Sequence, residues 1–105
     1  MKNIVLTDLQ AAEVCAILRS VLTPLSQATA KAWVFGSRAT GRARPYSDLD
    51  LLISSPAPLD WRARADLQDA FEASNLPFRV DVVEESRLAP TLAPRALAER
   101  QYLPF

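Results

Sequence analysis

Two apolar runs, Trp33-Val34-Phe35 and Leu49-Asp50-Leu51-Leu52-Ile53, flank a connection that holds both of the chain's glycines, Gly36 and Gly41. In a chain so poor in glycine, that placement marks a backbone with a special geometric demand where the first run ends. The runs read as strands over residues 31–35 and 49–53, and the connection as a loop stiffened by Pro45. Side chains two apart in a strand share a face. Asp48 and Asp50 therefore point one way, and Leu49, Leu51 and Ile53 point the other. A sheet built on this pair has one face that must be covered and one that carries charge.

Two carboxylates on one face of an apolar strand repel each other and resist dehydration. A divalent cation is the economical counter-charge, and hard oxygen ligands suit Mg²⁺, with Mn²⁺ as the alternative. Mg²⁺ commonly takes one or two carboxylates together with substrate phosphates. The Gly36-Ser37 corner supplies a complementary element: a glycine amide can approach a phosphate oxygen closely, and Ser37 adds a hydroxyl. Arg38, Arg42 and Arg44 in the loop offer fork-shaped cations for the same purpose. Taken singly, an Asp-x-Asp pair, a Gly-Ser step or an arginine-rich loop is a common surface feature. Together they describe a triphosphate lying between Gly36-Ser37 and a metal held by Asp48 and Asp50.

The rest of the chain reads as scaffold. Thr7 and Gln10 make a capping box for a helix over residues 8–22. Ala11, Val14, Ile17, Leu18, Val21 and Leu25 form its apolar stripe, and Pro24 helps to end it. Cys15 borders that stripe and reads as a small, half-buried apolar residue rather than a reactive thiol. Residues 59–74 form a second long helix with Leu59, Ala63, Leu67, Ala70 and Phe71 inward. Residues 78–83 form a third strand, in which Phe78, Val80 and Val82 alternate with Arg79, Asp81 and Val83. If the valines face the helices, Asp81 shares the open face with Asp48 and Asp50; strands otherwise disfavour aspartate. Tyr46 is expected to pack beneath the loop, and Ser47 either caps a turn or orients Asp48. Residues 94–102 suggest a final helix with Pro94 in its first turn. The apolar end Tyr102-Leu103-Pro104-Phe105 either packs back on the domain or meets a partner.

Composition removes several classes of function. Residues 1–105 are expected to form a single domain with a core of its own, since half the residues are hydrophobic. Twelve basic and twelve acidic side chains cancel, which argues against strong nucleic-acid binding. The absence of histidine removes histidine-based catalysis. A lone cysteine fits a reducing cytoplasmic setting, and neither a membrane-spanning run nor a signal-peptide pattern is visible. No Gly-Lys-Ser/Thr phosphate loop occurs.

Gly36-Ser37, a ten-residue gap and Asp48-Leu49-Asp50, set between two strands, resemble the signature of the DNA polymerase β-like nucleotidyltransferase superfamily. The resemblance covers roughly residues 8–85 and is similar in extent to the minimal nucleotidyltransferases of bacteria and archaea. It implies an α+β fold: a small mixed sheet of three or four strands with helices on one face. It implies Asp81 as a third carboxylate, so that Asp48, Asp50 and Asp81 serve as catalytic metal ligands for two Mg²⁺ ions. It implies ATP as donor, with Gly36 and Ser37 on the outer phosphates and one of Arg38, Arg42 or Arg44 steadying the leaving group. Minimal members often act as antitoxins that transfer AMP to a tyrosine of a partner HEPN ribonuclease toxin. The resemblance leaves two other readings open: an antitoxin that neutralises its toxin by contact alone, and a homodimeric transferase acting on a small molecule such as an aminoglycoside.

Overall fold

Thr7 fixes where the first helix begins. In the computed structural model, which describes residues 6–23 and 30–105, its hydroxyl accepts from the Gln10 amide at 3.1 Å. The Gln10 side chain in turn accepts from the Thr7 amide at 3.0 Å. Two of the amides that a helix start leaves unpaired are thereby satisfied. The helix, α1, runs Asp8–Leu22 and buries Val14, Leu18 and Leu22. Pro24 and Leu25, expected to end the helix and its stripe, lie outside the described residues.

Strand β1 (Lys31–Phe35) is followed by a single helical turn, α2 (Ser37–Thr40), and by β2 (Leu49–Ser54). Strand β2 lies antiparallel to β1, with Phe35 opposite Asp50 and Val34 opposite Leu51. Asp60 then caps α3 (Trp61–Glu72) by accepting from the Ala63 amide at 2.7 Å. The helix starts two residues later than its apolar spacing suggests, because Asp60 takes the cap and leaves Leu59 buried just ahead of it. Strand β3 (Val80–Glu84) lies parallel to β2, the arrangement that a helical crossover makes possible. The expected strand at 78–83 is displaced toward the C-terminus: Phe78 turns into the core, and Glu84 completes the ladder opposite Ile53.

The chain's end departs most from expectation. Helix α4 (Ala93–Glu99) carries Pro94 in its first turn but stops at Glu99 rather than at 102. Arg100 is extended, and Gln101–Leu103 form a fourth strand, β4, antiparallel to β1. Three residues give no readable alternation; their strand state comes from the free edge of β1. Leu103 is buried, Phe105 packs against the core, and the Cys15 thiol donates to the Pro104 carbonyl at 3.1 Å. The apolar terminus therefore folds back on its own domain.

The sheet order is β3-β2-β1-β4. Helices α1 and α3 pack together over one face, against Ala32, Val34, Leu49, Leu51, Ile53 and Val80. Leu52 and Ala96 are also buried but stand outside that core, on the side where Asp50 and Asp81 emerge. Among the described residues, no helix is long and apolar enough to cross a membrane.

One buried charge braces this frame. Glu84, 5% exposed, accepts from the Leu59 amide at 2.8 Å through Oε1. Its Oε2 pairs with Arg64 at 3.4 Å and Arg87 at 3.3 Å. It thus ties the end of β3 to the entry of α3. Replacing it (Glu84→Ala) leaves that amide unpaired and should cost about 1–3 kcal/mol in urea unfolding; a loss below about 0.5 kcal/mol would show the brace to be dispensable.

Candidate active site

The parallel register sets Asp50 directly beside Asp81, on strands that run about 4.8 Å apart. Their neighbours in the same ladder, Leu49 with Val80 and Leu51 with Val82, face the helices. Both carboxylates therefore stand on the other face, as alternation requires. Asp48, just before β2, is exposed and adds to the same field. Burial is the main cause that raises the Asp50 pKa above its ordinary value, with Asp81 and then Asp48 adding repulsion.

Gly36 closes the site from the side. Its φ of 74° and ψ of −151° fall in a region that essentially only glycine occupies. A β-carbon there would also run into the Asp50 carboxylate. Glycine is thus required twice: for the turn out of β1, and for the close approach to Asp50. Ser37 follows at the start of α2, half-buried, with its carbonyl accepting from the Arg42 amide at 2.9 Å.

The loop arginines separate into three roles. Arg38 is 2% exposed and lies inside the loop. Its Nε donates to the Ser47 carbonyl at 3.0 Å, and its Nη2 to the Pro45 and Ser47 carbonyls at 3.1 and 2.8 Å. Its guanidinium stacks 4.0 Å from the Phe78 ring centroid. Burial lowers its pKa, opposed by the nearby Asp48. Arg38 thus pins the loop that ends at Asp48, a place unlike the phosphate-facing one expected from the sequence. Arg38 also fills the space beneath the loop, so Tyr46 turns outward and is 78% exposed, contrary to expectation. Ser47 caps the turn, its hydroxyl accepting from the Arg44 amide at 2.8 Å. Arg44 is exposed. Arg42 lies beside the Gly36 turn, its Nε donating to the Thr40 hydroxyl at 2.9 Å, with Glu99 at 3.9 Å.

Asp81 leans toward Arg79, at 3.3 Å. Among the described residues, no three acidic, cysteine or histidine side chains already converge as a ligand set. Arg79 draws the Asp81 carboxylate to its own side. The donor chemistry nevertheless fits a hard cation: carboxylate oxygens only, one of them half-buried among like charges, against a glycine whose missing side chain admits it. Arg79 escaped the sequence reading; its place directly before β3 and two residues from Asp81 was the available signal.

Residues 14–103 match the sequence model of a family described as the nucleotidyltransferase domain. MntA of Haemophilus influenzae, named a probable protein adenylyltransferase, is 46% identical over 77 residues. These are 73% of this chain and 66% of that protein, just under two thirds of its length. A solved structure named as that of a putative minimal nucleotidyltransferase is 35% identical, with a TM-score of 0.60 and 90% of this chain and 95% of that one covered. A toxin–antitoxin structure with AMP-PNP gives a TM-score of 0.69 at 23% identity, covering 89% of this chain and 71% of that one. A tri-AMPylated Shewanella oneidensis HEPN toxin in complex with an MNT antitoxin gives 0.64 at 21% identity, covering 90% and 69%. At those last two identities the likeness is one of fold.

The raised Asp50 pKa has a signed consequence. The folded state holds this proton more tightly than the unfolded state does. Its contribution to stability is therefore fully present below the usual value of 3.8 and is lost as pH rises through the raised one. In chelator, Asp50→Asn should melt a few degrees above wild type near neutral pH. The two should converge below about pH 4. A variant that melts lower at neutral pH would show that Asp50 is held by attraction rather than repulsion.

Proposed function

The chain belongs to the nucleotidyltransferase domain family, and from that premise we propose that it is a Mg²⁺-dependent protein adenylyltransferase. Its donor is ATP, its acceptor a tyrosine hydroxyl of a HEPN toxin, and its role that of an antitoxin. The observation that carries this reading is the register of Asp50 beside Asp81, on the same open face as Asp48 and against Gly36. The probable protein adenylyltransferase MntA supports the reaction class, and the AMPylated HEPN toxin bound to an MNT antitoxin supports the acceptor. A reducing cytoplasm, where ATP is abundant, suits the single free thiol of Cys15.

In the reaction, the acceptor oxygen bonds to the α-phosphorus. The bond from that phosphorus to the oxygen bridging the β-phosphate breaks, and pyrophosphate leaves with that oxygen and its electron pair. Asp48, Asp50 and Asp81 would hold the metal, two ions in the full arrangement, which when bound supplies positive charge against the phosphates and the carboxylates alike. Asp81, its side chain 44% exposed, would take the acceptor's proton and pass it to water. Gly36 admits the Asp50 carboxylate close to the turn, where the Gly36 amide and the Ser37 hydroxyl would donate to a phosphate. Arg38 acts one step removed, by fixing the loop that ends at Asp48.

Incubation of the protein with ATP, Mg²⁺ and a HEPN toxin should add adenylyl groups to that toxin, read by intact-protein mass spectrometry. Asp48→Asn should lower the rate by at least about a thousandfold while leaving the fold intact by circular dichroism. Neutralisation of the toxin with no gain in mass would replace the reading with one of inhibition by contact.

A further inference from the structure

Beside the Gly36 turn, α4 borders an open pocket of about 190 Å³. Its apolar lining is Phe35, Leu92 and Ala96, and its charged lining is Arg42, Arg95 and Glu99. Phe35 is the ladder partner of Asp50, so the pocket opens one strand away from the carboxylates. The rim has an unusual charge arrangement. Arg95 Nε sits 3.1 Å from Glu99 Oε1, and Arg42 Nη2 sits 3.9 Å from the same oxygen. Two guanidiniums therefore share one carboxylate oxygen, and the group carries net positive charge.

As scaffolding this arrangement achieves little. Arg42 and Arg95 are 59% and 65% exposed, and exposed ion pairs contribute little to stability. The longer contact is a charge pair without a hydrogen bond. Arg42 is instead held by the site itself: its Nε donates to the Thr40 hydroxyl, which donates to the Gly36 carbonyl at 3.2 Å. Both guanidiniums thus stand at the mouth of a pocket that begins at the site's glycine. A polyphosphate carries several negative charges and many acceptor oxygens, and arginine forks match them well. A single carboxylate is the weaker competitor.

Resting on the nucleotidyl-transfer reading, we propose that Arg42 and Arg95 clamp the polyphosphate tail of the nucleotide. Glu99 is the clamp's internal competitor, aligning the arginines until the phosphates displace it. Arg95 is then a binding residue that no feature of the Gly36–Asp50 segment announces. Glu99 sets the threshold charge for entry: a tri- or diphosphate dislodges it, and a monophosphate does not.

The test is calorimetric titration of the full chain, in Mg²⁺, with ATP, AMP and inorganic tripolyphosphate. Arg95→Ala should weaken ATP and tripolyphosphate about tenfold and AMP less than about twofold, with partial rescue by Arg95→Lys. Glu99→Gln should tighten ATP and tripolyphosphate about three- to tenfold, since the competing charge is gone. Thermal melts confirm that each variant is folded. Wild type that binds ATP while Arg95→Ala and Glu99→Gln match it overturns the clamp and leaves nucleotidyl transfer standing. Equal losses for AMP and ATP overturn it as well. Wild type that binds tripolyphosphate with the predicted variant pattern, yet transfers nothing, supports the clamp and sinks the transferase. Failure to bind either ligand sinks both.

Discussion

The parallel pairing of β2 with β3 is the constraint from which the rest follows. It places Asp50 and Asp81 in adjacent rows with the same orientation. An antiparallel neighbour at that position would need only a short hairpin and would reverse the order of residues along the ladder. The parallel one requires α3 as a crossover, and α3 then joins α1 in covering the opposite face. The same choice that creates the acidic pair therefore also creates the core beneath it. Burial of Leu49, Leu51 and Ile53 fixes the register strongly, because a slip by one residue would turn the carboxylates into that core.

Arginine chemistry divides along the loop by burial rather than by sequence. A guanidinium can satisfy several carbonyls at once in a fixed plane, which suits Arg38 to holding the curved backbone of residues 44–47. A lysine would offer donors without the plane and would stack poorly on Phe78. The cost of burying this cation is offset by carbonyl dipoles, by the aromatic ring and by the field of Asp48. A loop rich in arginine thus spends one on its own rigidity, and that rigidity is what delivers Asp48 to the strand.

Much of this was legible in the sequence, and the limits have physical causes. The two-residue period of Asp48 to Ile53 set both faces of β2 without reference to anything else. The Thr7–Gln10 pair marked the start of α1 because capping is a local interaction. Asp81 could be placed opposite the valines, but which strand lay beside it depended on a pairing that no local signal carries. The three arginines of the loop looked alike because their separation depends on which one meets Phe78, forty residues on. The helix expected at 94–102 runs over the start of β4 for a related reason: Gln101–Leu103 adopt the state offered by the open edge of β1. Glu99 and Arg95 reach the Gly36 turn only because α4 ends just before that edge.

The two halves of the site are electrically opposite, and Gly36 is the seam between them. On one side stand Asp48, Asp50 and Asp81, with Asp50 disfavoured as an anion by burial first and by its acidic neighbours second. On the other stand Arg42 and Arg95 around a single carboxylate oxygen. Neither half is neutralised within itself, and any side chain at residue 36 would intrude between them and meet Asp50. A ligand that relieves both at once must carry cations at one end and anions at the other. A metal–polyphosphate has that form, whereas a bare metal or a bare phosphate relieves only one side. The proposed clamp and the acidic pair together predict a preference for the combined species, because the charge is separated across the seam.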